Sequence, residues 1–151
     1  MNKKLQFATS VVRGRLSGKK IPLIVGFELT QLCNLSCDYC DVWAKQSQDL
    51  DTDQVKEIIT GLAEAGVYSI NFDGGEVLMR KDIGEIVDHT HSEGVLVNLN
   101  SNGVLFPRRV HLLKNLNKVK FSLDGPEDVN GDGTIDVSDL LAIIGVWGNC
   151  P

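Results

Sequence analysis

Between Ile21 and Asp124 the chain alternates short apolar runs with amphipathic segments, and this alternation restricts the fold more than any other feature. Pro22–Phe27 is a short continuous apolar run, the mark of a buried strand. Residues 52–65 carry Val55, Ile58, Ile59 and Leu62 at helical spacing, with Asp51 and Gln54 placed as a capping box and Gly66 as the stop. Val67–Phe72 is the next expected strand. Asp82 and Glu85 open a second helix with the face Ile83, Ile86, Val87 and Thr90, closed by Gly94. A strand at Val95–Leu99 follows. Pro107 then suits the first turn of a third helix bearing Val110, Leu113 and Leu116, and Val119–Leu123 makes a fourth strand. Strands and helices alternating at this length predict an α/β fold of about four right-handed βα units on a parallel sheet.

The bulk numbers fit that fold. A chain of 151 residues can bury one ordinary core and has no room for a second full domain. The net charge of −5 is unevenly spread: residues 1–20 hold six Lys or Arg and no acid, and residues 121–151 hold six acids and no Lys or Arg. A basic arm this short reads as solvated, so no nucleic-acid partner is expected. No stretch approaches the roughly 18 apolar residues of a membrane span, so no membrane partner is expected either. Leu5–Val12 is diluted by Gln6, Thr9 and Ser10 and ended by Arg13, a poor export signal. Without export the thiols stay reduced, and a cytoplasmic location follows.

Ligands of parallel sheets sit at the C-terminal ends of the strands. The chemically informative residues all fall there. The first strand leads into Cys33-x3-Cys37-x2-Cys40, inside a connection that runs from Thr30 to Leu50. Gly74-Gly75-Glu76 follows the second strand, Asn100-Ser101-Asn102-Gly103 the third, and Ser122-Leu123-Asp124-Gly125 the fourth. Connections this long are usually functional or disordered. Three thiols so close together can converge on one metal centre and leave a position for a non-protein ligand. The alternatives are a zinc site completed by Cys150 or a histidine, or inert buried cysteines. His89, His91 and His111 form no ligand pair by spacing and read as surface residues. Gly74-Gly75 allows a ligand to approach the backbone closely, and Glu76 adds a carboxylate suited to an ammonium group.

Residues 21–126 resemble the radical SAM superfamily. The resemblance is carried by Phe27-Glu-Leu-Thr-Gln-Leu-Cys-Asn-Leu-Ser-Cys-Asp-Tyr-Cys40, Phe72-Asp-Gly-Gly-Glu76, Asn100-Ser-Asn-Gly103 and Ser122-Leu-Asp-Gly-Pro126. It implies a partial (β/α) barrel and a [4Fe-4S] cluster held by Cys33, Cys37 and Cys40. It also implies S-adenosylmethionine on the open iron, cleaved to a 5′-deoxyadenosyl radical that takes hydrogen from an unknown substrate. A reducing donor of flavodoxin or ferredoxin type would supply the electron. Tyr39 matches the aromatic position near the adenine, Gly74, Gly75 and Glu76 the motif for the methionine amino group, and Ser122 and Asp124 positions lining the cofactor or substrate side. Val77 stands where the family commonly has proline. The later strands of the family barrel do not fit this length, so a marginally stable, slow catalyst with an apolar, uncovered sheet is expected.

Residues 127–151 read differently. Asp128, Asn130, Asp132, Thr134, Asp136 and Asp139 have the spacing of an EF-hand loop, with Gly133 at the sharp turn and a helix after it bearing Leu140, Leu141, Ile144 and Trp147. This resembles one repeat of a dockerin-type calcium-binding module. Cohesin binding uses paired repeats, so a single copy argues against a cohesin-like partner. Asp128-Val129-Asn130 also continues the preceding segment naturally, which suggests a fusion joined within a shared stretch. The competing functional reading is therefore a non-enzymatic calcium-binding module on a vestigial α/β scaffold.

Overall fold

The structure, a computed structural model, describes residues 22–122 other than 38, 46 and 47, together with 8, 9, 11, 12 and 16. Four strands, β1 (Ile24–Thr30), β2 (Ser69–Gly74), β3 (Leu96–Ser101) and β4 (Lys118–Phe121), form one parallel sheet in sequence order. The crossovers carry α1 (Thr52–Ala65), α2 (Ile83–Ser92) and a short α3 (Phe106–Arg109). This is the α/β architecture expected, with every strand pair parallel.

The helix ends follow their local chemistry. Asp51 caps α1 by accepting from Gln54 N at 2.8 Å, and the Gln54 side chain accepts from Asp51 N at 3.1 Å. Gly66 ends the helix at φ 97°, where only glycine is unstrained. Val55 and Ile59 are buried, whereas Ile58 lies off the core face and is 40% exposed. All four expected face residues of α2 are buried. Asp82 precedes α2 but makes no side-chain cap, because its carboxylate is bonded elsewhere. The third helix is shorter than its apolar spacing suggests. After four residues it tightens into the 3₁₀ turn Val110–Leu112, and Phe106 and Leu113 supply its buried contacts.

The sheet has two unlike faces. Val25, Phe27 and Leu29 on β1, Ile70 and Phe72 on β2, Val97 and Leu99 on β3, and Val119 and Phe121 on β4 point into the core with α1 and α2. Phe27 meets Phe72 at 6.2 Å between ring centroids, and Phe106 meets Phe121 edge-on at 4.9 Å. The alternate positions are mostly polar: Glu28, Ser69, Asn71, Asp73, Asn98, Asn100, Lys118 and Lys120. Asn98 Nδ2 ties two neighbours of this row together, donating to Ser69 Oγ and Asn71 Oδ1 at 2.9 and 2.8 Å. The expectation of an apolar uncovered sheet is therefore corrected. The second face is built to meet water or a polar ligand, and β1 alternates where its sequence reads as continuous apolar chain.

Candidate functional site

Strands β1, β2 and β3 run two to three residues beyond their expected ends, whereas β4 ends at Phe121, so several rim residues are strand residues with fixed facing. Gly74 ends β2, and Asn100 and Ser101 end β3. A register shift between Glu28 and Thr30 bends the end of β1 toward the Gly74 turn. The chain then continues alongside that turn, with Gly75 N donating to Thr30 O and Glu76 N to Leu32 O, both at 2.8 Å. A Cβ on Gly74 would lie 2.2 Å from Thr30 O, and one on Gly75 would lie 2.2 Å from Leu32 O. The glycines thus admit the backbone that leads directly into Cys33.

Cys33, Cys37 and Cys40 are free thiols that line one cavity of about 290 Å³. A turn with Cys40 N donating to Cys37 O at 3.1 Å sets the last two side by side. Tyr39, Gly74, Gly75 and Ser122 line the same cavity, so the structure brings these expected residues together. The polar row of the sheet enters it through Glu28, Asp73 and Asn100, with Glu28 beside Asp73 in register and the Asn100 amide donating to Asp73. Glu28 and Asp73 were legible only as motif letters. Their facing depends on strand alternation that the apolar neighbours of Glu28 conceal.

Glu76 takes a different position from that of a ligand-facing carboxylate. It is fully buried beneath the turn. Its oxygens accept from Leu78 N at 2.9 Å, Asn102 N at 2.8 Å and Ser101 Oγ at 3.0 and 3.1 Å. Burial raises its pKa above the ordinary carboxylate value, and the three donors only partly offset this. The Cys33 thiol is also pushed up, first by burial and then by the charges of Glu76 and Cys37, against backbone donors at Leu35 and Asn34. Metal coordination would reverse that balance by supplying positive charge at the sulfur.

Among the described residues no three His, Cys, Asp or Glu side chains converge on a point the size of a single ion. The thiols instead ring a wider cavity. Cys33, Cys37 and Cys40 are three soft donors lining one cavity, a set that could hold a [4Fe-4S] cluster. His89 lies half-buried between α1 and α2 with Nε2 3.0 Å from Thr60 Oγ1, and His91 and His111 are exposed. Cys150, Asp124 and the residues expected to form a calcium loop, Asp128, Asn130, Asp132, Thr134, Asp136 and Asp139, lie outside the described residues.

Residues 27–146 match the family model described as the Radical SAM superfamily. The chain belongs to the radical SAM superfamily. The match reaches past Pro126 and overlaps the stretch read above as a calcium repeat. Relatives include a PqqA peptide cyclase of Bradyrhizobium diazoefficiens, 40% identical over 58% of this chain and 24% of that protein. The mycofactocin maturase MftC of Mycolicibacterium smegmatis is 32% identical over 80% of this chain and 33% of that protein. The Fe-coproporphyrin III synthase of Methanosarcina barkeri is 35% identical over 77% and 30%. The chain thus spans about a quarter to a third of the length of these relatives. Among solved structures, Streptococcus suis SuiB bound to S-adenosylmethionine superposes with a TM-score of 0.59 at 16% identity, covering 74% of this chain and 27% of SuiB. BtrN in complex with AdoMet and 2-DOIA gives 0.59 at 20% identity, covering 80% and 55%. These two likenesses support the fold. No helix among the described residues is long and apolar enough to cross a membrane.

Proposed function

We propose that this chain forms the cofactor-binding part of a radical SAM enzyme that modifies a peptide. One observation carries the reading: Cys33, Cys37, Cys40 and the Gly74-Gly75 backbone line a single cavity that opens onto the polar face of the sheet. Cys33, Cys37 and Cys40 would hold a [4Fe-4S] cluster. Gly74 and Gly75 would present backbone acceptors to the amino group of S-adenosylmethionine, with Glu76 fixing that backbone from behind. Tyr39, Ser122 and, beyond the described residues, Asp124 would line the rest of the cofactor. When bound, this pair supplies reductive cleavage of the sulfonium and a 5′-deoxyadenosyl radical that takes a hydrogen atom from the substrate. An electron donor of flavodoxin or ferredoxin type and a reducing, cytoplasmic setting suit such a centre.

The peptide substrate is favoured by relatives named for peptides, the PqqA peptide cyclases, and by a SuiB structure bound to precursor peptide SuiA. The polar row from Glu28 to Lys120 offers a peptide backbone donors and acceptors beside the cavity. Anaerobic reconstitution with iron and sulfide, then addition of S-adenosylmethionine and reductant, tests the reading. A brown protein that releases 5′-deoxyadenosine is expected. A chain that stays colourless and yields none sinks it. The calcium loop is a second, separable proposal, resting on the spacing of Asp128 to Asp139. Calorimetry should detect calcium binding that Asp132→Ala removes, and a flat titration of the unaltered chain would discard it.

A further inference from the structure

The cysteine-bearing segment leaves β1 after Thr30 and returns at Asp51, the cap of α1. No described residue from 31 to 50 is buried, so the segment has little packing of its own to hold it. Its two ends lie together, and one guanidinium grips both. Arg80 Nη1 donates to Leu29 O at 2.9 Å and to Leu50 O at 3.0 Å. The other edge of the group forms a fork with Asp82, Nε to Oδ1 at 3.0 Å and Nη2 to Oδ2 at 2.6 Å. Asp82 accepts in turn from Thr52 Oγ1 at 2.7 Å, on the first residue of α1.

A second tie lies beside the first. Thr30 Oγ1 donates to Asp49 Oδ2 at 2.5 Å, and Gln31 N donates to Asp49 Oδ1 at 3.3 Å. The Arg80 side chain is only 8% exposed, so its bonds to Leu29 O and Asp82 are partly shielded from water, while the one to Leu50 O lies at the surface. Burial would raise the Asp82 pKa, but the bonds from Arg80 and Thr52 and the Arg80 charge outweigh it and lower the value. The pair is therefore ionised as a fork. A planar guanidinium can serve a carboxylate on one edge and two carbonyls on the other, which an ammonium cannot do.

We infer that Arg80 is a positioning residue of the metal centre. With Asp82 and Asp49 it clamps the mouth of the cysteine loop, so that Cys33, Cys37 and Cys40 are gathered at the rim before any metal binds. Closing the loop in advance removes arrangements that metal binding would otherwise have to suppress. The inference rests on the metal-binding reading above, and its test separates the two.

The experiment uses the full chain, with Arg80→Lys and Asp49→Asn. Arg80→Lys keeps the charge and loses the fork. Asp49→Asn weakens the second tie within the loop itself and covers the case in which the Arg80 variant folds poorly. The first readout is protease nicking between residues 31 and 48 in metal-free protein, compared with nicking in α1 and α2. Each variant should be nicked in the loop about tenfold faster than the unaltered chain, with the helices cut at an unchanged rate. The second readout is iron loss to a chelator after anaerobic reconstitution, which should also be about tenfold faster, with a broadened spectrum of the reduced cluster. Loop nicking and iron loss at the unaltered rate in both variants would overturn the clamp. So would nicking that rises equally in loop and helices, since that marks general destabilisation. If the unaltered chain loads no iron, the metal-binding reading fails while the nicking comparison still decides the clamp.

Discussion

The two segments that meet at the rim are built on opposite plans. The Gly74–Met79 turn is short and buried: Glu76, Val77 and Leu78 have no exposed surface, and the Glu76 carboxylate is saturated by its own chain. The cysteine loop is long, without a buried residue among those described, and held at its ends. The turn is a rigid wall against which the loop entrance is laid, by Gly75 N to Thr30 O and Glu76 N to Leu32 O. Precision at the site comes from the turn, and the thiols ride on the segment that a metal can still adjust. Disturbing the loop should therefore remove a ligand and leave the fold, whereas disturbing the turn should damage the fold.

The largest effect expected is on the loop side. Changing any one of Cys33, Cys37 or Cys40 to Ala should abolish cluster binding, read as iron and sulfide per chain, while the melting temperature of the metal-free protein stays put. Cys150→Ala should retain the cluster. Loss of metal on Cys150→Ala would revive the four-ligand zinc reading.

On the turn side, Gly75→Ala drives a Cβ to 2.2 Å from Leu32 O, and that neighbour is backbone, which cannot rotate away. The cost should be about 3 kcal/mol, read by denaturant unfolding. For a chain with ordinary stability of about 5–15 kcal/mol this is a large share, and the metal-free protein should already show it. A Gly75→Ala variant of full stability would mean that the turn is not the rigid partner.

How much of this contrast the sequence disclosed depends on whether the partners are local. Helix α1 is legible to its ends because Asp51, Gln54 and Gly66 act within one turn of themselves. The triplet of cysteines and the Gly-Gly pair are legible for the same reason, and they do share one cavity. The role of Glu76 is not, because its donors at Ser101 and Asn102 come from another strand end. Nor is the Arg80 clamp, since its acceptors on either side of the loop, Leu29 O on β1 and Leu50 O, are backbone carbonyls, which leave no trace in residue type. The polar face of β1 was hidden by exposed Ile24 and by Gly26, which fill outward positions with residues that read as core.

Glu76→Gln sharpens the comparison further. The amide would set an N–H₂ against the Asn102 N–H donor, at a cost of about 2 kcal/mol. The sign of the pH effect follows from burial. The folded-state pKa of Glu76 is raised, so its contribution is fully present below the unfolded value of about 4.3 and is lost as pH rises through the folded value. Asp82 has the opposite sign: its folded pKa is lowered, so its contribution is present above about 3.9 and is lost as pH falls further. Urea unfolding between pH 3 and 7 should show Glu76→Gln flattening the upper part of this curve and leaving the acid limb intact. An unchanged slope above about pH 4.3 would mean that Glu76 ionises as freely as a surface residue.

The smallest effect serves as the measure of the others. Gly61 sits in the middle of α1, exposed, with nothing within 4 Å of where a Cβ would stand. Its conformational freedom has no visible use there, unlike that of Gly74 and Gly75, whose missing side chains make room for Thr30 and Leu32. Gly61→Ala should stabilise the protein by roughly 0.5–1 kcal/mol, through helix propensity and a less entropic unfolded chain. Cluster loading should not change. The same Gly-to-Ala substitution would then have opposite signs at two places in one sheet-and-helix unit, set by whether another backbone occupies the space. If Gly61→Ala were as harmful as Gly75→Ala, the damage at the rim could not be assigned to the contact with Leu32, and the contrast between wall and loop would lose its physical basis.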